Sequence, residues 1–198
     1  NSFLPFTLHQ VVSRQIVKTE FILGIVHSII ETINIGEYQH VQEKVSEIII
    51  ALETMKALVI KSEVEAKIDK GGWMQPDRST LQIAMNVYPR VYPRFTEIIQ
   101  LLGASGLMSI PTGSTFQSPV GNELNHYLQS RENTGEDRVQ LFRLAWDLTM
   151  SSFGTRQTLY ERFFFGDPVR LASQLYFSYD ADEYMQRGKD FLDLSKEH

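Results

Sequence analysis

Along the first third of the chain, apolar residues recur at alternating steps of four and three, and the pattern resolves into two helices. From about residue 7 to 35, Val12, Ile16, Leu23, Val26, Ile30 and Ile33, with Thr19 among them, share one face. Ile22, Ile25 and Ile29 widen that stripe, so the second half of the helix is expected to be buried on two sides. Gly36 is read as its C-terminal stop. The second helix is predicted over about 39–70, with Val41, Val45, Ile48, Leu52, Met55, Val59, Ser62 and Ala66 as its stripe and Gly71-Gly72 as its end. Most of its charged residues lie off that stripe, and the short Gly36-Glu37-Tyr38 link forces the pair antiparallel. A packed hairpin accounts for both stripes without any ligand.

The third helix is predicted over about 79–102. Pro89 and Pro93 fall inside it, so it is expected to kink or to begin afresh near Tyr88. The repeated Tyr-Pro-Arg spaces Arg90 and Arg94 four residues apart, where ion pairing is preferred over contact with a phosphate. A glycine-rich turn follows, Gly103-Ala104-Ser105-Gly106, then a Pro/Ser/Gly loop over 112–121 and a short helix over 122–128. A fourth long helix is expected over about 136–165. Its first half is apolar nearly all round (Val139, Leu141, Phe142, Leu144, Ala145, Trp146, Leu148), the mark of a central rod, with Arg143 and Asp147 neutralising each other within it. Asp167-Pro168 starts a shorter helix to about Tyr176, and Asp180 a last amphipathic one anchored by Tyr184, Phe191 and Leu192. The fold expected is all-α: an up-down four-helix bundle with short C-terminal helices.

Composition narrows the chemistry. The 198 residues suffice for one domain with its own core, and 42% hydrophobic with 22% charged residues is ordinary for a globular protein. A formal net charge of −5 argues against a general nucleic-acid binder. The chain contains no cysteine, which excludes disulfides and thiolate chemistry and fits a cytoplasmic setting. No apolar run reaches the length of a spanning helix. His9, His27, His40 and His126 have no second ligand at helical spacing, so no metal site is expected. Lysine is absent between Lys70 and Lys189 while arginine recurs, which points to a half of the chain covered by a ligand, by other subunits or by more of the same protein. The start at Asn1, without a methionine, reads as a domain taken from a longer chain.

One stretch interrupts the fourth helix. Ser151, Ser152, Gly154 and Thr155, followed by Arg156 and Gln157, sit between an apolar segment and Tyr160, Phe163, Phe164 and Phe165. Glycine in a helix costs about 1 kcal/mol relative to alanine, so something approaches the backbone closely. Either a neighbouring helix packs there, or an anion is held by hydroxyls, an exposed amide and the guanidinium of Arg156.

The same stretch carries a resemblance. Asp147-Leu148-Thr149, Phe153-Gly154-Thr155-Arg156, Leu159-Tyr160-Glu161-Arg162 and Gly166-Asp167-Pro168, in that order, resemble the C-terminal signature of the 4-hydroxyphenylacetate 3-monooxygenase oxygenase family. The resemblance implies an acyl-CoA dehydrogenase-like C-terminal helical domain, with the two upstream domains lying outside these 198 residues. It implies a two-component enzyme in which a separate reductase supplies reduced FAD, and a phenol is hydroxylated ortho to its hydroxyl group. This domain would form one wall of the flavin site and the core of a homotetramer, inactive on its own. Ser152, Gly154, Thr155, Arg156 and Gln157 are then the expected FAD contacts. Acyl-CoA dehydrogenase-type flavoproteins also place a Gln and a Gly-Gly-x-Gly turn against a neighbouring subunit's flavin. Gly103 and Gly106 occupy that position here, with the second glycine replaced by Ala104. A related branch, the 4-hydroxybutyryl-CoA dehydratases, shares the fold but needs a His and a Cys seven residues apart. His9 is present, but Ile16 stands at the other position, so that branch is excluded. The rival from another class is a non-enzymatic helical module that serves only oligomerisation.

Overall fold

A computed structural model describes residues 3–194. Helix α1 (Leu4–Ile33) opens with Pro5 in its first turn, where a missing N–H is harmless. It ends on Asn34, whose left-handed backbone (φ 54°) bonds back to the Glu31 carbonyl; the expected stop at Gly36 lies two residues beyond. Asparagine tolerates that conformation better than other non-glycine residues, which is why no glycine is needed.

Helix α2 (Gln39–Val64) runs back along α1 and buries Val41, Val45, Ile48, Leu52, Met55 and Ser62, the expected stripe. It stops six residues short of the predicted end. Lys67–Ile68 (β1) and Met74–Gln75 (β2) instead pair antiparallel around a turn in which Gly72 adopts φ 82°. The Asp69 carboxylate accepts from the backbone N–H groups of Gly71 and Trp73, at 2.8 and 3.0 Å. Asp-x-Gly-Gly is thus a hairpin turn rather than a helix end.

Helix α3 (Arg78–Gly103) is capped by the Asp77 carboxylate, which accepts from Thr80 N–H. It continues through both prolines as one helix, not two. Packing overrides the local cost: Leu81, Ala84, Met85, Tyr88, Phe95, Ile98 and Ile99 are all buried on it. Helix α3 contacts α1 and α2 on one side and the C-terminal helices on the other. It is the central rod, a place the sequence pattern assigned to the fourth helix. Arg94 leaves α3 to form a fork with Glu47 of α2 (2.7 and 2.8 Å) and a bridge to Glu97, the ion pairing expected of it.

A single 3-10 turn (Ala104–Leu107) and two short helices, α4 (Gly113–Phe116) and α5 (Gly121–Leu128), lead to α6 (Gly135–Thr149). A reciprocal capping box of Thr134 and Asp137 starts α6. The predicted fourth helix is not continuous: α7 (Ser152–Phe163) is a separate element. Helix α6 buries Phe142, Ala145 and Thr149, but Leu144 and Trp146 remain 39% and 36% exposed, so among the described residues its second apolar face is only partly covered. Arg143 donates to the Pro111 carbonyl at 2.6 Å and, among the described residues, forms no pair with Asp147. Helices α1, α2 and α3 with the α6–α7 rod form the up-and-down four-helix bundle. The short helices α8 (Pro168–Ser178) and α9 (Asp182–Leu194) are the last described elements, and the expected anchors Tyr184, Phe191 and Leu192 stand exposed.

Candidate functional site

The small-residue patch is a helix break with its own cap. Thr149 is the last residue of α6; Met150 N–H still reaches the Trp146 carbonyl, at 2.7 Å. Ser151 then leaves helical geometry (φ −70°, ψ 170°). Its hydroxyl accepts from Gly154 N–H (3.1 Å) and donates to the Asp147 carbonyl (2.7 Å), tying the start of α7 to the end of α6. The turn is tight enough that a Cβ on Gly154 would lie 2.5 Å from the Leu148 carbonyl carbon and 2.6 Å from the carbonyl oxygens of Asp147 and Leu148. What approaches that backbone is the preceding helix end.

Ser152, Thr155 and Arg156 share the exposed side of the first turns of α7, and the Arg156 guanidinium has no ion-pair partner among the described residues. The backbone N–H groups of Ser152 and Phe153 fall in the first turn, where a helix has no internal acceptors. Hydroxyls, free amides and a guanidinium thus share the exposed side of a helix N-terminus, a donor set suited to an anion. Gln157 points the other way and donates to Glu161 at 3.1 Å. The remaining two candidates sit at the α3–α6 contact: Gly103 lies against Leu107 and Gly106 against the Phe142 ring, with hypothetical Cβ contacts of 2.6 and 2.5 Å. Ser105, Gly106, Ser109 and Arg138 line a cavity of about 220 Å³ beside them.

The group that sequence reasoning missed is Glu161. Its side chain is 0% exposed and receives Arg14 through a fork of 2.6 and 3.2 Å, Lys18, and Gln157. Arg14 in turn lies over the rings of Tyr160 (5.2 Å) and Phe164 (5.9 Å). The available signal was a pair of cations, Arg14 and Lys18, one turn apart on the first helix, but nothing local names a partner 147 residues away. Burial pushes the Glu161 carboxyl up, yet the hydrogen bonds and charges of Arg14 and Lys18 outweigh it, and the group lies below the usual carboxylate range. Burial also pulls Lys18 below the usual lysine range in spite of Glu161, since one carboxylate compensates two cations incompletely. Tyr92, on the α3 side of the cluster, is pushed up to about 12 by burial.

A carboxylate depressed in the folded state contributes stability that is complete above its unfolded value, about 4.3, and is lost as pH falls through the folded one. The thermal midpoint is therefore expected to drop as the pH falls below about 5. Glu161→Gln should start lower at neutral pH and fall less steeply over that range. Asp77 and Glu47 are depressed as well, so the difference between wild type and variant, measured by calorimetry, isolates Glu161.

Among the described residues no group of acidic or histidine side chains could hold a metal ion, and no helix is long and apolar enough to cross a membrane. His9 instead pairs with Glu63 of α2, at 2.7 Å.

Residues 1–193 match the protein-family model for the 4-hydroxyphenylacetate 3-hydroxylase C terminal. A probable 4-hydroxyphenylacetate 3-monooxygenase of Bacillus subtilis is 54% identical over 198 residues, which are all of this chain and 41% of that protein. The 4-hydroxyphenylacetate 3-monooxygenase oxygenase component of Thermus thermophilus is 48% identical over 93% of this chain and 38% of its own length. The crystal structure of an oxygenase component (HpaB) of 4-hydroxyphenylacetate 3-monooxygenase complexed with FAD superimposes with a TM-score of 0.95 at 46% identity, over 99% of this chain and 41% of that one. An archaeal 4-hydroxybutyryl-CoA dehydratase shares the fold at a TM-score of 0.79 and 19% identity. The chain spans about two fifths of the length of the curated relatives it matches. By its match over residues 1–193, it belongs to the 4-hydroxyphenylacetate 3-hydroxylase C-terminal family.

Proposed function

We propose that this chain is the C-terminal helical domain of the oxygenase component of a two-component, FAD-dependent monooxygenase that hydroxylates a phenol such as 4-hydroxyphenylacetate ortho to its hydroxyl group. The family match over residues 1–193 carries this reading. Reduced FAD, supplied by a separate reductase, brings the oxygen-activating chemistry. The contribution of this domain is to bind and orient the cofactor's polar part.

The donor set at the start of α7 fits that task. Arg156 offers a planar fork to a phosphate, Ser152 and Thr155 offer hydroxyls, and the first-turn amides and helix dipole favour negative charge. Gly154 allows the tight turn that aims them, Gln157 fastens the helix from its inner side, and Gly103 and Gly106 let the neighbouring turn close onto α6. The exposed Phe153, Leu159, Phe163, Tyr176 and Phe177 support burial of α7 and α8 in a homo-oligomer, a tetramer, or under the rest of a longer chain. A cytoplasmic location accords with the absence of cysteine.

The test is to supply the full-length protein with reduced FAD, O2 and 4-hydroxyphenylacetate and to follow product by chromatography. The ortho-dihydroxy product is expected, with saturable FAD binding. A full-length protein that binds no flavin and forms no product would instead be an oligomerisation module.

A further inference from the structure

Helix α7 lacks the feature that ordinarily sets a helix's rotation. A surface helix is oriented by an apolar stripe turned to the core, yet the residues α7 buries are Gly154 and Glu161, while Phe153, Leu159, Tyr160 and Phe163 are exposed. A direct polar tie to α3 is the weak contact of Thr158 with Thr96, at 3.3 Å. The strong tie runs to α1, through Glu161. Among the described residues it is the charged side chain in the buried set, and Oε1 alone receives Arg14, Lys18 and Gln157. Arg14 and Lys18 project from successive turns of α1, so the carboxylate is held at two points along that helix rather than one.

The geometry of an α-helix converts this anchor into a direction. Each residue advances about 100° around the axis, so Arg156, five residues before Glu161, lies roughly 140° away from it. Gln157, four residues before, lies on nearly the same side, as its 3.1 Å contact with Glu161 records. Fixing Glu161 against α1 turns Gln157 inward and Thr155 and Arg156 outward. A rotation of α7 by one residue, about 100°, in the sense that carries Arg156 toward the present place of Glu161 would leave the guanidinium only about 40° from the inward direction.

We propose that Glu161 is the positioning residue of the candidate flavin site: clamped between Arg14 and Lys18, it fixes the rotation of α7 and thereby the direction in which Arg156 and Thr155 present their donors. This rests on the reading of Ser152, Thr155 and Arg156 as FAD contacts, but the clamping of the helix is measurable without flavin.

The experiment compares full-length wild type, Glu161→Gln, and a triple variant, Glu161→Leu with Arg14→Met and Lys18→Met. The triple variant replaces the ions by apolar side chains, an exchange that buried ion clusters often tolerate. It keeps the test intact if the single variant does not fold. Three quantities are read: thermal midpoint, amide exchange of the peptide spanning residues 152–163 in flavin-free protein, and FAD affinity by titration. Both variants are expected to exchange faster in that peptide while α2 and α3 keep their protection. FAD affinity should weaken by about tenfold or more, the loss met when a group that orients a ligand contact is removed. The triple variant should regain thermal stability without regaining flavin affinity. Unchanged exchange in residues 152–163, or recovery of stability and flavin affinity together, would reduce Glu161 to a stabilising ion pair and overturn the proposal. Faster exchange with unchanged FAD affinity overturns it too. Arg156→Ala, titrated alongside, then says which claim failed: weakened binding there faults Glu161 alone, and unchanged binding in both faults the flavin assignment.

Discussion

Phe95→Ala is expected to destabilise the domain by about 3–5 kcal/mol, the cost of truncating a fully buried aromatic side chain into a cavity. Phe95 is 1% exposed at the middle of α3, and its ring meets Tyr88 and Tyr92 edge-on at 6.5 and 6.2 Å. The α3 helix touches every other long helix of the bundle, so the cavity cannot be closed by shifting one neighbour. At roughly 2–4 °C per kcal/mol for a domain of this size, calorimetry should record a fall of about 6–20 °C. A fall of less than about 3 °C would mean that α3 is not the organising rod.

Gly154→Ala should cost about 3 kcal/mol, and with it the integrity of the α6–α7 junction. Two effects oppose each other. Alanine favours helix over glycine by about 1 kcal/mol. Against that, its Cβ would sit 2.5–2.6 Å from backbone atoms of Asp147 and Leu148, which have no rotamer to retreat into. The clash wins, because relief requires pulling α7 away from the end of α6 and breaking the Ser151 cap. A drop of roughly 6–12 °C in midpoint is expected, accompanied by weakened flavin binding in the full-length protein. An alanine variant as stable as wild type would show that the junction opens freely.

What the sequence made legible follows from where the physics is local. The four-three stripes of α1 and α2 announced themselves because the period of a helix is written within its own segment, whichever element it packs against. The Asp-Pro start of α8 and the bridge of Arg94 to Glu97, one turn on, were legible for the same reason. Three features were not. Ser151 reads equally well as a small residue inside a helix and as an N-cap, and only the approach of the Leu148 carbonyl decides between them. The continuity of α3 through Pro89 and Pro93 is a tertiary outcome, imposed by core contacts on a segment whose local preference is to break. The Arg14–Lys18–Glu161 cluster joins the first helix to the seventh, and no spacing rule spans that separation. Within the candidate site, the donor character of Ser152, Thr155 and Arg156 was readable from residue type, whereas the inward turn of Gln157 was not.

The central claim, that the exposed face at the start of α7 holds the charged part of FAD, is tested most directly by equilibrium titration of FAD against full-length wild type and Arg156→Ala. Arg156 is exposed and unpaired with any acidic side chain among the described residues, so the substitution should leave the thermal midpoint of the flavin-free protein unchanged. A hydrogen bond to a charged group is worth about 1.5–3 kcal/mol, which predicts a dissociation constant raised by about 10- to 100-fold. Equal affinities in the two proteins would contradict the claim.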